Sequence, residues 1–187
     1  MRSQDGDKMS SCETGSDAGA AAEIPADLKI VEYRPELAPE FYRINQEWVS
    51  SMFVMEDTDQ RVLSNPDDEI IKKGGQIIFA EKKGRGIVGT CALMPSGDGD
   101  YELTKMGVLE RARGLKAGEF LLVEILRRAR QMAIRRLYLL TNSKCEAAIH
   151  LYEKFGFDHD PTIMAEFGSN YARANVAMSY RQLIDQQ

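Results

Sequence analysis

The chain has 187 residues, of which 43% are apolar and 28% charged, and its formal net charge at pH 7 is −5. This length suits one domain with a sizeable core, and the acidic balance argues against a nucleic-acid partner, because general nucleic-acid binders usually carry an excess of Lys and Arg. The longest apolar runs are strand-sized and fall far short of the ~20 residues that span a bilayer, so no membrane partner is expected.

Residues 1–27 form the first distinct stretch, rich in small and polar side chains and poor in large apolar ones. Six acidic residues face two basic ones, so this stretch carries −4 of the net charge. It lacks the apolar segment of a signal peptide, and its acidity is unlike a mitochondrial transit peptide. The composition predicts a disordered acidic tail over 1–27 and one folded domain over 28–187.

The domain is predicted to begin with a strand over 28–33 and a helix that opens at Pro35. Apolar residues recur near one face of that helix: Leu37, Phe41, Ile44, Trp48, Val49 and Met52. An acidic loop follows over 52–68, and a second short helix over 68–73 ends at two glycines.

Three strands are predicted next. Those over 76–81 and 87–94 flank a glycine-containing turn and form a hairpin, and a third runs over 101–108. A helix then extends to about residue 135, with a strand over 136–141 and a helix over 143–155 after it.

Residues 171–180 alternate, which predicts a half-buried final strand. One face carries Ala172, Ala174, Val176 and Met178, and the other carries Tyr171, Arg173 and Asn175. The element order predicts an α+β fold (α/β, three-layer) with a mixed, mostly antiparallel central sheet flanked by helices.

A basic turn, Arg113-Gly114-Leu115-Lys116-Ala117-Gly118, separates the strand over 101–108 from the apolar helix. In such a turn successive backbone N–H groups can point into one concavity, and the helix dipole adds partial positive charge. The glycines let an anion approach the backbone closely. The turn therefore predicts a pyrophosphate site, although similar units bind nucleotides, flavins and phosphates of many kinds.

A second motif narrows the choice. It comprises Thr141-Asn142 and Ala147-Ala148-Ile149-His150-Leu151-Tyr152-Glu153-Lys154-Phe155-Gly156-Phe157. With these residues the sequence resembles the GNAT superfamily of acyl-CoA-dependent N-acetyltransferases, over nearly all of 28–187. The resemblance implies the same fold, acetyl-CoA as cosubstrate, and a pyrophosphate loop over 113–118. Lys116 departs from the family, which has a glycine at that position.

The resemblance also implies two catalytic residues. Tyr152 corresponds to the family's general acid, and a phenol that stays protonated at neutral pH can donate to a thiolate. The spacing of apolar residues on this helix is equally consistent with a tyrosine that only packs in the core. Glu102, on the strand before the turn, is the candidate base, and a solvated strand glutamate is the alternative. His150 is interpreted as a surface histidine.

The thioester oxygen needs a donor as it becomes negative. The family supplies backbone N–H groups, which here correspond to those of Met106, Gly107 and Val108. Asn142 is carried over as a contact to the pantetheine arm, and Asn142 or Ser143 could also cap the following helix.

The acceptor is harder to predict. Glu56, with its acidic neighbours Asp57 and Asp59, would attract a cationic amine, whereas Arg173 and Asn175 could grip a carboxylate. We favour a small, amino-acid-like primary amine over a protein lysine, and we expect this amine to attack acetyl-CoA directly, without an enzyme nucleophile. A non-catalytic acyl-CoA-binding or regulatory module is the other hypothesis, and a homodimer is the assembly to test.

Cys12, Cys91 and Cys145 are widely spaced and contain no C-x-x-C pair. This pattern predicts neither a disulfide framework nor a metal site. A reducing, cytoplasmic location is the simpler expectation.

Overall fold

The computed structural model describes residues 25–132 and 134–181. The tail predicted over 1–27 lies outside the described residues except for its last three positions, and so do the last six residues of the chain. The prediction of disorder in the tail therefore stays a prediction.

One seven-stranded sheet organises the domain, with the strand order β1-β2-β3-β4-β5-β7-β6. The strands are β1 Leu28–Glu32, β2 Gln76–Lys82, β3 Gly86–Gly97, β4 Asp100–Val108, β5 Arg136–Thr141, β6 Phe157–His159 and β7 Val176–Tyr180. Neighbouring strands are antiparallel except β4 and β5, which are parallel. The predicted mixed, mostly antiparallel sheet is confirmed.

The parallel pair matters most for function. β4 and β5 share only the pairs from Asp100–Arg136 to Glu102–Tyr138. Beyond that point β5 pairs with β7 and β4 pairs with β3. The two strands therefore diverge after Glu102, and a cleft opens between them in the middle of the sheet.

Helices cover both faces of the sheet. They are α1 Ala38–Ser50, α2 Asp57–Ser64, α3 Ala117–Gln131, α4 Glu146–Lys154 and α5 Pro161–Phe167, with a π-helical turn at Asp67–Ile71 and 3-10 turns at Pro35–Leu37, Glu110–Ala112 and Gly168–Asn170. Within the described ranges, none of these helices combines the length and apolar content needed to cross a bilayer.

Side-chain alternation along β2 shows how the two layers form. Ile78 and Ala80 join the core under α3 and α4, while Ile77 and Phe79 join the core under α1 and α2. Successive strand residues point to opposite faces, so one apolar strand supplies both cores. Tyr138 of β5 stacks on Phe167 of α5 with ring centroids 4.4 Å apart, which packs α5 against the sheet.

The prediction of elements needs correction in three parts of the chain. Residues 57–64 are helix α2, not loop, because Glu56 and Asp59 form a reciprocal cap at its start. An acidic run concealed that cap. The segment after Phe155 contains β6 and α5, which were not predicted; Asp160 caps α5 through the N–H groups of its first turn.

The final strand is also shorter than predicted. It spans Val176–Tyr180 and is buried on both faces rather than half-buried, because Met178 and Tyr180 join the core under α3 and α4 while Ala177 packs with Ile163 of α5. Residues 171–175 precede it as irregular chain. Tyr171, placed on a polar face by the alternation, is only 4% exposed.

Candidate active site

A cavity of about 670 Å³ fills the cleft between the diverging strands. Its walls come from the C-terminal part of α1, strand β4, the chain over 140–148, α4, and the segment over 171–174. Arg113 of the basic turn, Glu102 and Tyr152 all line this one cavity. Residues that are far apart in the sequence therefore meet in a space large enough for a small-molecule site.

The basic turn lies at the N-terminus of α3. Gly114 adopts φ +80° with open space where a Cβ would be, so an anion could approach its backbone. Ala117 is buried as the first residue of α3, while Leu115 packs against the core. Gly118 sits on the inner side, where a Cβ would lie 3.6 Å from Met106. The turn thus presents backbone outward and is anchored by Leu115 and Ala117.

Lys116 occupies the position where the resembled family has glycine, and its φ of 56° falls in the left-handed region. That conformation costs a residue with a Cβ about 1 kcal/mol. The side chain is exposed, so its ammonium is available to an anion above the helix. In the first turn of α3, Glu119 is held by Lys154 at 2.9 Å, which offsets a negative charge near the helix N-terminus.

Strand β4 bends at a bulge beside the cleft. Thr90 pairs with Gly107 and Ala92 with Thr104, so two residues of β4 oppose one of β3. Lys105 takes φ +50° there. Gly107 permits close packing of α1, since a Cβ would lie 3.3 Å from Ile44. Met106, Gly107 and Val108 line the cavity, on the part of β4 that has no β5 partner in the described pairing.

Tyr152 is 8% exposed, and its hydroxyl lies 3.8 Å from the Met106 sulfur. Its ring meets Phe157 edge-on with centroids 5.8 Å apart. Burial raises the pKa of Tyr152 well above its ordinary value. The phenol is therefore protonated at neutral pH and faces the cavity.

Glu102 is 2% exposed, and its Oε2 atom has no hydrogen-bond partner within the described chain. Burial raises the pKa of this carboxyl, while the charge of Lys105 and hydrogen bonds from Thr104 and Tyr171 act in the opposite direction. A buried carboxyl with an unpaired oxygen facing a cavity is suited to accept a proton.

A buried ion cluster lies next to Glu102. Asp59 accepts from Lys105 Nζ at 2.7 Å and from Arg173 at 2.6 and 2.9 Å. Lys105 Nζ also donates to the Tyr171 hydroxyl at 3.2 Å. Burial alone raises the pKa of Asp59, but Arg173 and Lys105 outweigh it and lower the pKa to about 2. Arg173 in addition contacts Glu56 at 3.1 Å.

The predicted acceptor residues are therefore engaged within the protein. Glu56 accepts from the Ala172 and Arg173 backbone N–H groups at 2.7 and 3.1 Å. Asn175 is exposed and exchanges hydrogen bonds with Ser143. Arg173 lines the cavity, whereas Glu56 and Asn175 are not part of its wall.

Asn142 lines the cavity and is fixed on both sides of its amide. It donates to the Arg173 carbonyl at 2.6 Å and accepts from the Lys144 N–H at 2.9 Å. The alternative that Asn142 or Ser143 caps the next helix is wrong, because α4 begins at Glu146 and Cys145 holds the cap position. The Asn142 side chain instead pins a turn between β5 and α4.

Of the remaining titratable candidates, one borders the cavity and two do not. His150 is exposed. Cys91 is buried and burial raises the pKa of its thiol, whereas the free thiol Cys145 borders the cavity. Over 25–132 and 134–181 there is no group of three or more His, Cys, Asp or Glu side chains arranged to hold a metal.

Sequence reasoning missed two parts of the site. Lys105 could have been found as a charge within an otherwise apolar strand, but its partner Asp59 was hidden in an acidic run. Trp48, Met52 and Phe53 line the cavity, yet the first two were interpreted as members of a core-facing helix stripe.

Three comparisons bear on this architecture. The sequence model of the Acetyltransferase (GNAT) family matches residues 35–157. An uncharacterized N-acetyltransferase of Schizosaccharomyces pombe is 28% identical over 138 residues, which cover 71% of this chain and 84% of the relative.

Solved structures agree. A GNAT-family acetyltransferase from Staphylococcus aureus superposes with a TM-score of 0.73 at 24% identity, covering 82% of this chain and 98% of that one. The PaiA N-acetyltransferase from Thermoplasma acidophilum, in complex with coenzyme A, gives a TM-score of 0.61 at 15% identity, covering 82% and 98%. These similarities establish the fold.

Proposed function

The chain belongs to the acetyltransferase (GNAT) family of enzymes, which transfer an acyl group from acyl-CoA to an amine, and from that premise we propose that it acetylates a small primary amine by direct attack. One observation carries the proposal. A buried carboxyl with an unpaired oxygen, Glu102, and a protonated phenol, Tyr152, line a single cavity with Arg113 of the basic turn.

The residues around the cavity fit acyl-CoA. Arg113, Lys116 and the N-terminus of α3 would hold a pyrophosphate, and Gly114 leaves room for it. Asn142 would contact the pantetheine arm, and the unpaired edge of β4 at Met106–Val108 would donate to the thioester oxygen. When bound, acetyl-CoA supplies an activated acetyl group on sulfur.

Glu102 and Tyr152 each carry out one of the two proton transfers. Glu102 accepts the proton that the amine must lose, either directly or through water. Tyr152 donates a proton to the departing thiolate sulfur. The nitrogen–carbon bond forms as the carbon–sulfur bond breaks, and both side chains return to their starting states by exchange with solvent.

The residues expected to bind the acceptor favour a small amine over an amino-acid-like one. Arg173 and Asn175 were the groups expected to grip a carboxylate, and both already have partners inside the protein. We propose that Glu56, Arg173 and Asn175 shape the acceptor end by holding the 171–175 segment in place. A cytoplasmic location, with Cys91 and Cys145 as free thiols, and a homodimer stay proposals.

Thiol release from acetyl-CoA, measured with a panel of amines, tests the function. We expect amine-dependent release by the full chain and strong loss of turnover in Tyr152→Phe. Binding of acetyl-CoA without release for any amine would favour the non-catalytic module instead. Transfer to a lysine-containing peptide, with none to small amines, would favour a protein substrate.

A further inference from the structure

The cavity that Glu102 lines also has an apolar wall. Trp48, Met52 and Phe53, at and just beyond the end of α1, line the same cavity as Glu102. From this juxtaposition we propose that the acceptor is a primary amine with an apolar body, an aryl or branched alkyl group that packs on the wall while its nitrogen reaches Glu102. The inference rests on the proposed function, since it assigns a substrate class to that site.

The wall is built into the fold and adjoins the reacting end of the cleft. Trp48 and Phe53 lie with ring centroids 6.2 Å apart at 46°. Trp48 packs where α1 lies against β4, since a Cβ on Gly107 would lie 3.6 Å from the Trp48 Cβ. An apolar group seated on these rings would therefore lie beside the strand edge assigned to the thioester.

The charges at this end of the cavity are already matched to one another. Asp59 is shared by Lys105 and Arg173, and Glu56 accepts from the same Arg173 nitrogen as Asp59. The Phe53 and Tyr171 rings lie 6.0 and 5.1 Å from the Arg173 guanidinium. A second charged group on the acceptor would have to break a buried ion pair, which is costly. Glu102 keeps an unpaired oxygen for the amine.

The apolar wall includes an exposed side chain. In the described part of the chain, the large hydrophobic side chains that remain exposed are Met52, at 41%, and Val54, at 82%. Covering apolar surface is favourable. Met52 continues the wall outward from the cavity, whose volume of about 670 Å³ lies within the range of small-molecule sites. We therefore assign the wall to a small amine and not to a protein partner.

The wall carries its own reporter, because Trp48 is the single tryptophan of the chain. We would titrate the full chain, saturated with CoA, with 2-phenylethylamine, ethanolamine and putrescine while following tryptophan emission. The inference predicts a saturable change with 2-phenylethylamine at the lowest concentration. In turnover, its kcat/KM should exceed that of the two polar amines by at least about tenfold.

Single substitutions test whether the apolar wall determines the preference for 2-phenylethylamine. Phe53→Ser should lower kcat/KM for 2-phenylethylamine about tenfold with the KM for acetyl-CoA unchanged, and Met52→Ser should act in the same direction. Val54→Ser is the matched control, because Val54 is exposed on the same segment but is not part of the cavity wall. An equal loss in Val54→Ser, or a doubled mass in solution that Val54→Ser abolishes, would overturn the assignment.

The two proposals fail in different ways. Saturable binding at Trp48 without thiol release would contradict the proposed function and support the apolar site. Thiol release from acetyl-CoA that is as efficient with ethanolamine or putrescine as with 2-phenylethylamine would support the function and overturn the apolar acceptor.

Discussion

The two ends of the cleft differ in whether backbone or side-chain groups form them. The end assigned to acyl-CoA consists mainly of backbone: a turn with Gly114 at positive φ, the N-terminus of α3, and the unpaired edge of β4. The acceptor end consists of side chains from separate segments, with Asp59 on α2, Lys105 on β4 and Arg173 before β7.

This difference predicts how each end responds to substitution. A backbone site keeps most of its donors when a side chain is replaced. A buried side-chain cluster loses a partner with every replacement, and the remaining charges are left unpaired. The acceptor end should therefore be sensitive to single substitutions, and the pyrophosphate turn should be tolerant unless a repulsive charge is introduced.

Asp59→Asn should give the largest effect on stability. It leaves Lys105 and Arg173 without their shared carboxylate, and breaking a buried pair costs about 3–5 kcal/mol. Urea unfolding at pH 7 measures the loss. Asp57→Asn is the control, because Asp57 lies on the same helix but is exposed. Equal stabilities of the two variants would show that the cluster contributes nothing.

The same carboxylate should make stability depend on pH. The pKa of Asp59 is lowered to about 2 in the folded protein, against ~3.9 in an unfolded chain. Its stabilisation is therefore present above pH ~4 and lost as the pH falls towards 2. Asp59→Asn should lack this part of the acid destabilisation in a urea series across that range.

Tyr152→Phe should give the largest effect on turnover. The hydroxyl acts on the leaving thiolate in the transition state, whereas the ring packs against Phe157 throughout. We expect kcat to fall by roughly 10²-fold, the lower end of general-acid contributions, and the KM for acetyl-CoA to stay within a few-fold. Tyr42→Phe is the control, because it removes the same group from a tyrosine whose hydroxyl donates to Gln60 on α2 and has no proposed part in the reaction. Unchanged kcat in Tyr152→Phe would make Tyr152 a packing residue.

The pyrophosphate turn should show the smallest effects. Lys116→Ala removes an exposed charge but keeps the backbone N–H, so CoA affinity should fall only a few-fold, in line with exposed ion pairs worth about 0.2–1 kcal/mol. The difference should shrink as salt rises. Gly118→Glu should weaken binding more, because it places a like charge beside the anion. Calorimetric titration with CoA at two salt concentrations tests both.

The backbone-built end is also the end that the sequence predicted. A turn such as Arg113–Gly118 is contiguous, and its strand, glycines and helix follow one another along the chain. Strand alternation and helix periodicity likewise predicted the sheet and α1. Lys116 shows the limit, because only the structure gives its φ of 56°.

The acceptor end could not be predicted because its partners are distant in sequence. Lys105 and Asp59 are 46 positions apart, and Arg173 and Asp59 are 114 apart. The sequence alone does not indicate which charged side chains will form an ion pair with one another. Arg173 and Glu56 were thus interpreted as free to bind an acceptor, whereas each has the other as a partner.

Glu102 connects the two ends, and its stability effect has the opposite sign to that of Asp59. Its pKa is raised in the folded protein, so its stabilising contribution is present at low pH and is lost as the pH rises through that pKa. Glu102→Gln should therefore be at least as stable as the parent at pH 8 in urea unfolding. A less stable variant would mean that the ionised carboxylate is favourably paired.

The ratio of kcat/KM between the parent and Glu102→Gln, measured from pH 6 to pH 10 with one amine, tests the central claim most directly. If Glu102 takes the proton of the attacking amine, the defect should be large near neutrality, within the roughly 10²–10⁴-fold range of general-base catalysis, and should ease at high pH, where free amine is abundant. A ratio that is constant across the whole range, or equal to one, would contradict the assignment of Glu102 as the base.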